Sequence, residues 1–142
     1  MTDAGGDIEA IRRIWDNWAA AFAGEEDGFL EGMAPDVEWV PIMAVLEGRV
    51  FHGHEGLRRW LEDLRRDWEA FDPQFEEFRD LGDGSYLVLG RWQARTRISG
   101  VELTQPASWL IRMRDGKVAR LQTFTDRQEA IEVSERLRSS SA

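Results

Sequence analysis

The sequence predicts a small α+β domain whose C-terminal half is a curved antiparallel meander. Three observations carry that prediction. Between residues 90 and 130, the turn signals Ser99-Gly100 and Asp115-Gly116 separate three runs of alternating apolar and polar residues. This is the period of half-buried strands. A helix with an acidic cap follows at Asp126. Upstream, apolar residues recur at helical spacing instead, at Ile8, Ile11, Trp15, Trp18 and Phe22.

The elements follow in order. Residues 1–6 read as a flexible start. The first helical stripe opens behind Asp7 as N-cap and ends at Gly24. A short second helix carries Phe29, Leu30 and Met33. It stops at Pro35, because proline lacks an N–H and biases the preceding residue away from helix. A short strand covers 37–40, and an apolar connection over 41–51 contains Ile42, Met43, Val45 and Leu46. A third helix over about 55–69 buries Leu57, Trp60, Leu61, Leu64 and Trp68, with Pro73 at its exit. Strands are expected at 74–81, 86–96, 102–113 and 118–125. The last helix starts at Asp126, and Glu129 completes a variant capping box. The tail from Ser139 frays, leaving an ordered core of about 7–136 within a single domain over 1–142.

The central hairpin can be paired from its turn. A two-residue Ser99-Gly100 turn sets Trp92 against Ala107 and Gly90 against Trp109. One face then collects Val88, Gly90, Trp92, Ala94, Leu103, Ala107, Trp109 and Ile111. The other collects Arg91, Gln93, Arg95, Glu102, Thr104, Ser108 and Arg112. A one-residue slip would mix the two sets. Gly90 would leave room for the Trp109 indole.

Composition narrows the function. A chain of 142 residues is one domain by length. At that size it buries roughly two-thirds of its unfolded surface without staples. It has no cysteine, which excludes disulfides and thiolate metal sites and fits a cytoplasmic location. No stretch approaches a membrane span or a signal peptide. A net charge of −9 argues against nucleic acid as a partner. Seven tryptophans exceed what a core of this size ordinarily uses, so some are expected to line a cavity.

The order of these elements resembles the SnoaL-like branch of the nuclear-transport-factor-2-like superfamily. The resemblance covers about residues 7–132. It is carried by Phe51-His52-Gly53-His54-Glu55-Gly56-Leu57 entering a helix, Gly90-Arg91-Trp92, Ser99-Gly100-Val101, Asp115-Gly116-Lys117-Val118 and Phe124-Thr125-Asp126-Arg127. It implies a cone: a strongly bent antiparallel sheet wrapped around three helices, with an apolar pocket between them. The outer sheet face of such proteins often forms a homodimer. Here that face would use Arg91, Gln93, Arg95, Ser108, Leu110 and Gln122. The superfamily holds cyclases, isomerases, hydrolases, dehydratases and members that only bind, so the fold alone does not assign a reaction.

Two of its chemistries can be tested on these residues. Ketosteroid-isomerase chemistry would place a base near 39–41, a tyrosine near Asn17 and a protonated acid at Trp109, and none of the required residues stands there. Limonene-epoxide-hydrolase chemistry would want an aspartate near Thr123 and an arginine facing inward, whereas Arg91 falls on the outer face.

The resulting expectation is a pocket formed by Asn17, Trp18, Trp39, Met43, Trp60, Tyr86, Trp92, Gln105, Trp109, Leu121 and Thr123. It takes a neutral, flat, apolar small molecule, with Gln105 orienting it and no cofactor or metal. A pair such as His52 and His54 lacks a third ligand. If the protein is instead an enzyme, His54 or Asp126 is the base, and Gln105 or Asn17 steadies an oxyanion. A third reading is an interaction module using the outer sheet face.

Overall fold

The structure is a computed structural model and describes residues 4–41 and 50–140. Met43, expected in the pocket, lies outside the described residues. Helix α1 spans Ala4–Trp15, α2 Trp18–Phe22 and α3 Asp27–Glu31. Strand β1 follows over Met33–Val40, then β2 over Phe51–His52, helix α4 over Gly53–Asp67 and strand β3 over Trp68–Gly82. Strands β4 (Ser85–Thr96), β5 (Glu102–Arg114) and β6 (Lys117–Phe124) complete the sheet, and α5 spans Arg127–Ser140.

The sheet order is β2-β1-β6-β5-β4-β3. Its β3 to β6 portion is the expected antiparallel meander. The β1–β6 pair is parallel, which the sequence reading did not anticipate. The first predicted helix is two helices: the chain breaks at Asp16-Asn17. The stripe nonetheless stays on one side, with Ile11 and Trp18 buried in one cluster and Ile8, Trp15 and Phe22 packed against it. Residues 4–6, expected to be loose, are helical, so Asp7 lies inside α1 and is not its cap.

The β4–β5 register is two residues away from the predicted one. Trp92 faces Gln105, Gly90 faces Ala107 and Val88 faces Trp109. The cause is the loop. Thr96 N–H donates to Val101 O at 3.1 Å, and Gly100 N–H reaches back to Thr96 O at 3.0 Å. Residues 97–100 therefore form the turn, with Gly100 at φ +67° and Ile98 fully exposed at the tip. Because strand side chains repeat every second residue, a two-residue slip keeps every side chain on its predicted face. Trp109 thus still points inward, but not over Gly90.

The inner sheet face and helices α1 to α4 enclose the main core. Tyr86 is fully buried in it, and its hydroxyl donates to Asp7 Oδ2 at 2.8 Å, pinning α1 to the sheet. Glu26 holds α4 against the α2–α3 turn. Its two oxygens accept from Arg58 Nη1 at 3.1 Å and Arg65 Nη2 at 3.0 Å. Hydrogen bonds to Asp27 first, then to Glu26, raise the Arg58 guanidinium above its ordinary pKa.

The outer face is divided. Leu81, Leu87, Leu89, Leu110 and Phe124 form a second apolar cluster under Ala130 of α5. Ser108 and Leu110, expected on an open dimer face, are 1% and 7% exposed. The sequence reading missed this because the final helix carries only a weak apolar stripe, at Ala130, Ile131 and Val133. Arg91 and Gln93 remain exposed beyond it.

Candidate functional site

A cavity of about 390 Å³ opens between the inner sheet face and the helices. Small-molecule sites run from roughly 300 to 1,000 Å³. All seven tryptophans of the chain line it. Trp15 and Trp18 come from α1 and α2, Trp39 from β1, Trp60 from α4, Trp68 from the start of β3, and Trp92 and Trp109 from β4 and β5. Phe51, Phe71, Leu64, Leu121 and the buried Thr123 complete much of the wall.

The rings support one another. Trp39 and Trp60 lie 5.1 Å apart between centroids, and Trp15 stacks on Trp39 at 6.3 Å and 16°. Phe71 stacks on Trp92 at 5.3 Å and 18°. Trp18 Nε1 donates to Phe71 O at 2.7 Å, which fixes one indole without using a ligand. The Trp92 Nε1 donor is buried and has no acceptor among the described residues.

Of the residues expected in the pocket, Trp18, Trp39, Trp60, Trp92, Trp109, Leu121 and Thr123 are on the cavity wall. Asn17, Tyr86 and Gln105 are not among its lining residues. Asn17 is exposed at the helix break, where its Nδ2 donates to Arg13 O at 3.3 Å. Tyr86 is deep in the core and its hydroxyl is taken by Asp7. Gln105 has the inward parity but is exposed, so it has no place as the orienting group.

The two proposed bases also lie off the wall. His54 is half-buried in the first turn of α4, and its Nε2 is 2.9 Å from Met33 O, tying the helix to β1. Asp126 is exposed. Its Oδ1 accepts from Gln128 N at 2.9 Å and Glu129 N at 3.4 Å, which is N-cap geometry for α5. Asp126→Ala should therefore cost about 1 kcal/mol of stability in equilibrium unfolding. It should leave ligand titrations of the cavity unchanged.

Sequence reasoning missed the polar side of the cavity. Among the described residues its ionisable lining is Asp63, Arg66 and Asp67, all near the end of α4. Asp63 is half-buried, while Arg66 and Asp67 are exposed, so the charge sits at the mouth. Arg66 Nη2 donates to Asp63 Oδ1. The signal was present: Trp60, Asp63, Leu64 and Asp67 are spaced 3, 4 and 7 apart on one helical face.

A family model for the SnoaL-like domain matches residues 11–121. No curated protein matches the chain by sequence. Among solved structures, TerC co-crystallised with polyporic acid is 28% identical, with a TM-score of 0.73 over 92% of this chain and 98% of that one. An NTF2-like protein of unknown function from Burkholderia pseudomallei K96243 is 19% identical, with a TM-score of 0.73 over 93% and 97%. A protein described as a SnoaL-like polyketide cyclase from Jannaschia sp. CCS1 is 20% identical, with a TM-score of 0.71 over 94% and 96%. The last two likenesses concern the fold.

Proposed function

The chain belongs to the SnoaL-like domain family, and on that premise we propose that its cavity binds an apolar, ring-containing small molecule. The observation that carries this reading is the gathering of all seven tryptophans around one cavity of about 390 Å³. A core does not need its indoles on one wall. A site for a flat apolar guest does, because each ring offers a large, rigid contact face. The similar structure crystallised with polyporic acid supports a small-molecule role. If the protein also transforms its guest, Asp63 and Asp67 are the carboxylates that line the cavity among the described residues.

Intrinsic fluorescence tests the proposal directly, since every tryptophan reports on the cavity. Titration with a panel of apolar aromatics should shift or quench the emission in a saturable way. Gln105→Leu should leave that titration unchanged, because Gln105 is exposed and off the wall. Emission that stays constant across the whole panel would sink the reading.

We further propose a homodimer through the part of the outer sheet face that α5 leaves open. That part presents Arg91, Gln93 and Arg95 on β4, with Gln122 on β6. Sedimentation velocity at micromolar concentration should show a dimer, and a monomer alone would remove the proposal.

A further inference from the structure

We propose that the guest of this cavity carries a cationic head, a tertiary or quaternary ammonium, on its apolar body. This rests on the small-molecule reading above and narrows it.

The ring faces come first. An indole presents the most negative face of any side chain, and it attracts a cation within about 6 Å of the ring centroid. Trp39 and Trp60 are 5.1 Å apart, and Trp18 and Trp60 5.8 Å. Rings this close pack on one another, so they adjoin along one stretch of the cavity wall, and a methylated ammonium seated against that stretch from the cavity lies beside more than one of them. An anion there would face the same negative surfaces and be repelled.

The charges at the mouth point the same way by a separate route. Two carboxylates, Asp63 and Asp67, line the cavity against one cation, Arg66. Arg66 is already bonded to Asp63. Asp67 makes no ion pair among the described residues. Among the described lining residues the carboxylates outnumber the cations by one, in a chain whose net charge is −9, and such a field draws cations in.

The objection to a charged guest is the cost of burying it without a partner. Here the head has partners on both sides, indole faces within and a carboxylate at the rim. A methylated ammonium also has few or no N–H donors to leave unsatisfied.

Three isosteric probes test this: benzyltrimethylammonium, neopentylbenzene and benzylsulfonate. They share a ring and a branched head and differ in charge. Calorimetry and fluorescence should rank the cation about tenfold tighter than its neutral isostere, with the sulfonate weakest. Asp67→Asn should weaken the cation about two- to fivefold and leave neopentylbenzene unchanged. Added salt should narrow the gap between the two. Neutral binding equal to or tighter than cation binding overturns this inference and leaves the small-molecule reading standing, as does a sulfonate that binds first. If the cation preference survives Asp67→Asn in full, the rim carboxylate has no part in it and that half of the inference falls. Silence from all three probes and from the aromatic panel overturns both readings.

Discussion

Gly90→Ala is expected to destabilise the protein by about 3–4 kcal/mol, beyond the ordinary range for added core volume. A Cβ at Gly90 would stand 2.0 Å from Gln74 O, 3.1 Å from Gln74 C and 3.2 Å from Glu76 N. All three are backbone atoms, so no rotamer change relieves the clash. The crowding arises where β3 shifts register against β4, between Phe75 and Glu77. An irregularity of this kind bends the strand and raises its twist. Glycine is thus required by the bend of the sheet, not by the Trp109 indole. Urea denaturation should show the midpoint falling with an unchanged slope. A variant as stable as the parent would mean that the two backbones do not approach this closely.

Phe29→Ala should cost about 3–5 kcal/mol, the range for deleting a fully buried aromatic ring. Phe29 is 0% exposed. Its ring meets Trp15 edge-on at 5.4 Å, Trp18 at 5.5 Å and Trp39 at 6.2 Å. It is not among the cavity's lining residues, yet three lining indoles lean on it. The loss should therefore appear twice, as a lower unfolding midpoint and as weaker, less specific titration by aromatic ligands at temperatures where the variant stays folded. A variant that loses stability but binds as the parent does would show that the indoles hold their positions without this support.

The inward placement of Trp92 and Trp109 was legible because strand alternation has a period of two. That parity survived even an error of two residues in pairing. The turn itself was misjudged, since Ser99-Gly100 reads as a two-residue hairpin when the loop also takes in Arg97 and Ile98. Trp18, Trp39 and Trp60 could be placed because each belongs to an apolar stripe or strand face. The polar candidates failed for reasons that spacing does not encode. Tyr86 is claimed by Asp7, 79 residues away in sequence. Asn17 turns outward at a helix break that no proline or glycine marks. Gln105 has the right parity on a part of the strand that lies in solvent. Asp63 and Asp67 were overlooked because carboxylates on an amphipathic helix read as its solvated side, although α4 directs part of that side into the cavity.

The gathering of the indoles has an optical consequence. The layer between α5 and the outer sheet face contains leucines and Phe124 but no tryptophan or tyrosine. The chain's one tyrosine, Tyr86, lies in the inner core with the indoles. Chromophores as close as Trp39 and Trp60, inclined at 49°, exchange excitation and share it around the ring of neighbours. Light emitted by this protein therefore comes from the cavity side alone. The last helix could lift from the sheet in darkness, and only a probe of backbone conformation would see it leave.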